Sequence, residues 1–140
     1  TQFAEYEMLT NKMYEDGESL TADNLSSVYL ELNKKYYGSD IISDDQIAYE
    51  WARIPHFYYN FYVYQYATSY CAAFSVAHKI LEEGTPAVER YKKFLSGGCS
   101  MAPVELLKIA GVNLETPAPI QDALNAFGEI IKEMETLVED

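Results

Sequence analysis

His56 and the tyrosines after it, Tyr58, Tyr59, Tyr62, Tyr64, Tyr66 and Tyr70, place one imidazole and six phenols within a few turns of chain. A phenol with a reference pKa of about 10 stays protonated at neutral pH and can donate to a developing oxyanion, and an imidazole can do the same or carry a proton. Removing one such donor from an active site typically costs about 2.7–4 kcal/mol of barrier. If the segment is helical from residue 57, Tyr59, Tyr62, Tyr66 and Tyr70 recur at three- and four-residue spacing and form one stripe, with His56 at its upstream end. Phe57, Phe61 and Tyr64 then fall on other faces. The competing reading makes the stripe ordinary core, its hydroxyls reaching water or a neighbouring carbonyl. Either way, a helix aromatic on all sides expects another surface against it.

Other residues that could carry chemistry do less. Ser96-Gly97-Gly98 has the look of a phosphate cradle, but no strand leads into it and no Gly-Lys-Ser/Thr follows, so it reads as a helix stop. Thr68 and Ser69 have no histidine and acid arranged around them in sequence. Cys71 and Cys99 have neither metal nor redox spacing, and Cys71 between Tyr70 and Ala72 reads as a small buried apolar residue. Glu5 and Glu7 read as helix-surface acids.

The tyrosines need helices to hold them, and the pattern supplies almost nothing else. A first helix over 2–15 stops at Asp16-Gly17. Thr21 caps a second over 22–37, which ends at Gly38. Asp44 and Asp45 start a short helix through Trp51, halted before Pro55. A long helix over 57–83 carries the tyrosines, and proline-started helices follow at 86–96 and 103–110. The last, over 119–138, sets Ile120, Leu124, Phe127, Ile131, Met134 and Val138 on one face that should pack inward. The fold class is all-α, a multi-helix array around a long tyrosine-rich helix.

With 49% apolar residues, the 140-residue chain can bury one core. A formal charge of −12 excludes a nucleic-acid partner, because Lys34-Lys35 and Lys92-Lys93 are isolated pairs and not a basic patch. No apolar run reaches the roughly eighteen residues of a membrane span. The acidic, solvated surface and the unpaired thiols fit a cytoplasmic protein. The chain opens at Thr1 inside an apparent helix and reads as a piece of something larger.

The string Ile54-Pro55-His56-Phe57-Tyr58, continued by Phe61-Tyr62-Val63-Tyr64-Gln65-Tyr66-Ala67-Thr68, resembles the carboxy-terminal catalytic region of oligoendopeptidase F, a thimet-oligopeptidase-like zinc metallopeptidase. The opening Thr1-Gln2-Phe3-Ala4-Glu5-Tyr6-Glu7, then Leu32-Asn33-Lys34-Lys35-Tyr36-Tyr37-Gly38, Phe94-Leu95-Ser96-Gly97-Gly98 and Pro117-Ala118-Pro119-Ile120 look like the same family in the same order. The resemblance implies that residues 1–140 are a single helical region, the carboxy-terminal part of a larger helical metallopeptidase catalytic domain, with short peptides as substrates and the remainder of that domain as a partner. Such enzymes hold zinc through His-Glu-x-x-His, in which two imidazoles one helical turn apart grip the ion while the glutamate activates its water. That motif is missing here, His56 and His78 being the only histidines and far apart. Zinc is therefore expected in the full-length enzyme and none in this chain; His78 reads as structural or surface-exposed, and the chain alone is expected to be inactive.

The resemblance further implies a histidine and two tyrosines seven residues apart that hold substrate and stabilise the oxyanion. Tyr59 and Tyr66 have that spacing, and His56 is the histidine beside them. His56, Tyr59 and Tyr66 are the catalytic candidates, with Tyr62 joining them in substrate binding; Tyr58 or Tyr62 remains an alternative to Tyr59 as the first tyrosine. The alternative function is a non-enzymatic helical module that binds a peptide or partner through its aromatic face. That face, left exposed, is also a route to self-association.

Overall fold

The computed structural model describes residues 1–138. Among these residues there are six α-helices, α1 (Gln2–Glu15), α2 (Ala22–Tyr37), α3 (Tyr64–Glu83), α4 (Thr85–Ser96), α5 (Pro103–Ile109) and α6 (Ala118–Val138), with 3-10 helices at Ile47–Arg53 and Pro55–Tyr58 between α2 and α3. No strand occurs among the described residues. The chain divides into two compact units, Thr1–Ala67 and a second that begins at Thr68. No helix among the described residues is long and apolar enough to cross a membrane.

In the first unit α1, α2 and the two 3-10 helices enclose an aromatic core. Thr21 caps α2 by accepting from the Asn24 amide at 3.2 Å, and Gly38 closes it at φ 75°, a conformation open to glycine without a Cβ clash. Tyr6, Tyr29 and Leu32 are buried, with Phe3, Trp51 and Phe57 packed against them. The Tyr6 ring meets Tyr29 edge-on at 5.2 Å and Phe57 at 4.9 Å. Such contacts fix ring orientation as well as burying area. Polar tips are tied at the edge of this core: Tyr29 Oη donates to Glu50 at 2.6 Å, and Trp51 Nε1 donates to Ser26 Oγ at 3.0 Å.

The second unit is built on Ala72 and Val76 of α3 with Ala110 and Val112 beyond α5; Ile80, Tyr91, Phe94, Leu107 and Leu114 pack around them. Gly97 lets α4 turn directly toward α5, since a Cβ there would stand 2.5 Å from Leu106 Cδ1 and 3.1 Å from the Phe94 carbonyl oxygen. Cys71 is half-buried and not in the core, and Cys99 is exposed.

Two expectations fail. The helix expected over 57–83 begins only at Tyr64. Pro55 opens a 3-10 helix in place of the expected α-helix, and Asn60 and Phe61 then take left-handed backbone angles, φ 48° and 58°. Asparagine tolerates that region and phenylalanine rarely adopts it, so two such residues in succession end any continuous helix. The apolar face of α6 does not pack inward either: Ile120, Leu124, Phe127, Ile131, Met134 and Val138 are all exposed, and burial is confined to Pro119 and Ala123. Periodicity fixes an apolar stripe but not the surface that covers it.

The two core phenols should respond oppositely to loss of the hydroxyl. Burial, and then the bond to Glu50, push the Tyr29 phenol above its ordinary range, while burial chiefly raises Tyr6, whose Oη has no hydrogen-bond partner. Tyr29→Phe removes a bond to a charged acceptor and should cost about 1.5–3 kcal/mol in urea unfolding, whereas Tyr6→Phe should be neutral or stabilising. Equal losses in both variants would contradict this.

Candidate functional site

Although the helical stripe is broken, the residues expected to work together are brought together. His56 sits in the second 3-10 helix, Tyr59 just after it, Tyr62 beyond the left-handed pair, and Tyr66 in the first turn of α3. The His56 ring stacks on Tyr62 at 5.5 Å and 25°, and meets Tyr59 and Tyr66 edge-on, each at 6.1 Å. Tyr62 in turn stands 6.1 Å from Tyr59 and 6.0 Å from Tyr66. A reversal at Asn60-Phe61 therefore achieves what the helical reading assigned to seven-residue spacing: it brings Tyr62 back onto the imidazole that Tyr59 flanks from upstream.

Tyr59 and Tyr66 keep their phenols open to solvent, 60% and 61% exposed, and Tyr62 is half-covered by its neighbours. A side-chain hydrogen bond with Tyr62 is the chief cause holding the Tyr66 phenol above its ordinary pKa, with partial desolvation second. Tyr66 is thus a proton-bearing donor throughout the neutral range. Of the remaining tyrosines, Tyr58 is 70% exposed and lies close enough to Tyr6 to raise that phenol, while Tyr70 is carried further along α3.

His56 and Tyr66 also line a cavity of about 640 Å³, whose other walls include Gln2 and Phe3 of α1, Tyr36 and Tyr37 of α2, and Val63. The side-chain nitrogen of Gln2 is buried there without a hydrogen-bond partner. The cavity's two helices are tied by Glu5, which accepts from Lys35 Nζ at 2.5 Å and Tyr36 Oη at 2.8 Å.

The sequence reading missed Glu7. It is not a surface acid: only 3% of it is exposed, and its carboxylate accepts from the backbone N–H groups of Tyr62 at 3.3 Å and Val63 at 3.4 Å. A signal was available, because Phe3, Tyr6 and Glu7 fall at i, i+3 and i+4, which puts a carboxylate on the inward stripe of α1. Glu5 likewise is engaged by α2 and does not stand free in solvent. His78 pairs with Glu82 at 3.4 Å and stacks on Phe74 at 6.1 Å.

The sequence matches the family described as Peptidase family M3 over residues 1–126. This chain belongs to peptidase family M3. It is 51% identical over 138 residues to the oligopeptidase PepF of Bacillus subtilis, the match covering 99% of this chain and 21% of that relative. The chromosomal oligoendopeptidase F of Lactococcus lactis subsp. cremoris is 42% identical over 139 residues, with 99% and 23% covered. The crystal structure of oligoendopeptidase-F from Enterococcus faecium superposes with a TM-score of 0.87 at 44% identity, across 98% of this chain and 26% of that one. The resemblance to oligoendopeptidase F thus holds in sequence and in fold, and this M3 chain spans about a quarter of the length of the relatives it matches. Among its described residues no group of three His, Cys, Asp or Glu side chains is placed to hold a metal ion, so these residues do not fit a zinc site.

The Glu5 tie has a pH signature. Hydrogen bonds from Lys35 and then Tyr36 hold its carboxyl below the ordinary carboxylate range. A depressed folded-state pKa adds stability that is complete above the unfolded value and is lost as pH falls through the folded one. Glu5→Gln should therefore lower the thermal midpoint at pH 7, and the difference from the parent should shrink and vanish as the pH falls through the depressed folded-state pKa of Glu5. A difference that persists into acid would show that Glu5 acts through packing.

Proposed function

We propose that this chain supplies the substrate-facing wall of an M3 oligopeptidase, with His56 and the tyrosines presented to the peptide carbonyl under attack. The observation that carries this reading is the ring cluster itself: an imidazole with three exposed tyrosine rings packed around it, beside a cavity. Nothing else among the described residues of this chain buries these phenols.

The roles follow from donor chemistry. Tyr66, held protonated, donates its hydroxyl to the oxyanion that develops as the carbonyl carbon becomes tetrahedral. Tyr59 orients the peptide, and His56 donates to the same carbonyl or steadies it. Tyr62, stacked on His56 and bonded to Tyr66, holds both at a fixed separation and forms part of the binding surface. A preorganised donor gains more in the transition state than in the ground state, where the carbonyl carries less charge. The described residues do not make a metal site, so zinc and the water it would activate belong in this reading to other parts of a peptidase chain. The peptides PepF-type names imply are short ones, and this chain by itself is expected to turn none of them over.

Tyr66→Phe, made in a longer M3 chain that carries His-Glu-x-x-His, should lower kcat by about 10²–10³ while leaving KM within a few-fold. An unchanged kcat for a quenched fluorescent peptide would remove Tyr66 from the mechanism.

A further inference from the structure

Glu7 is an ionisable side chain that the proposed mechanism does not use, and its surroundings are unusual for a carboxylate. It is 3% exposed, and among the described residues it makes no ion pair. What meets it is backbone: the Tyr62 and Val63 amides, just ahead of the twenty-residue helix α3. A carboxylate buried without a cation is costly unless hydrogen bonds replace its hydration, and amides at a helix N-terminus offer both donors and a favourable dipole. The bonds are fifty-five and fifty-six residues long in sequence, so they fix tertiary position and not a local turn.

Their placement coincides with the backbone's least comfortable point. Asn60 and Phe61 stand at φ 48° and 58° immediately before the two amides. Left-handed angles are rare for phenylalanine, and such a conformation persists where surrounding structure holds it. Without that reversal, the Tyr62 ring does not return to stack on His56 or bond Tyr66.

We infer that Glu7 is a positioning residue for the tyrosine cluster: its carboxylate clamps the Tyr62 and Val63 amides, holds the Asn60-Phe61 reversal closed and so sets where the Tyr62 and Tyr66 hydroxyls stand. The clamp is a geometric claim about this chain; its consequence for turnover rests on the function proposed above. Glu7 itself touches no reacting atom. It acts through Tyr62, as a side chain that fixes the approach of a donor whose misplacement by 1 Å can cost about 10²-fold in rate.

Two variants and two readouts test it. Glu7→Gln keeps the volume and one acceptor oxygen but sets an amino group against the second amide, while Glu7→Leu removes both acceptors and retains apolar packing. In this chain, amide hydrogen exchange should accelerate at Tyr62 and Val63 by at least about tenfold in Glu7→Leu and by less in Glu7→Gln, with Tyr29 and Leu32 in the core unchanged in Glu7→Gln. The His56 ring protons should shift as the stacked Tyr62 ring moves. Unchanged exchange at Tyr62 and Val63 in both variants would overturn the clamp, as would acceleration spread evenly over the whole first unit in Glu7→Gln. In a longer M3 chain bearing His-Glu-x-x-His, Glu7→Gln should reduce kcat by about tenfold with KM nearly constant. Local exchange that rises with kcat unmoved would uphold the clamp and instead defeat the catalytic reading of the tyrosines.

Discussion

A carboxylate taken out of water must be met by donors, and in this chain the donors are two consecutive backbone amides that would otherwise be left over at the start of a helix. Each side solves the other's problem. Glu7 loses its hydration but gains two N–H donors just ahead of α3; Tyr62 and Val63, which precede the helix, gain an acceptor. Because this contact ties α1 to the segment at Tyr62-Val63, the backbone between Pro55 and Val63 has little freedom, and the left-handed pair Asn60-Phe61 is the path that remains. The ring cluster around His56 follows from that path. Tyr59 precedes the reversal, Tyr62 follows it, and the two rings end 6.1 Å apart with the imidazole against both.

The aromatic core serves the same end from the other side. Phe57 is the hinge between packing and chemistry, since its ring lies against Phe3 and Tyr6 while the residue before it is His56. Tyr29 and Trp51, tied to Glu50 and Ser26, hold α2 to the first 3-10 helix and therefore fix the point from which Pro55 departs. The imidazole is set by what its sequence neighbours bury. That division suits a donor array: rigid apolar groups beneath, hydroxyls exposed above.

Much of this was legible in the sequence, for reasons that differ by residue. Thr21 and Gly38 marked the ends of α2 because capping is local chemistry, and Pro86 and Pro103 marked helix starts because proline's fixed φ suits a first turn. The membership of the cluster was legible from residue type, but the way it is assembled was not. Tyr59, Tyr62 and Tyr66 satisfy helical spacing, and nothing in that spacing reveals that Asn60 and Phe61 leave the helical region, which is decided by a contact with a glutamate more than fifty residues upstream. Glu7 was missed because a charged residue was read by its solubility and not by the inward stripe it occupies with Phe3 and Tyr6. The α6 stripe is apolar as its periodicity predicts, but the described residues of this chain do not cover it, since a single helix carries no record of its partner.

The central claim is that the His56 and tyrosine hydroxyl array faces the carbonyl that becomes tetrahedral, and this is tested most directly by the structure of a longer, zinc-bearing M3 chain with a phosphinic peptide bound. The phosphinyl oxygen that stands where the oxyanion forms should lie within about 3.1 Å of the Tyr66 hydroxyl, with His56 or a second tyrosine of the cluster also in hydrogen-bond reach. A phosphinic peptide bound productively with its phosphinyl oxygens out of reach of His56, Tyr59, Tyr62 and Tyr66 would contradict the account.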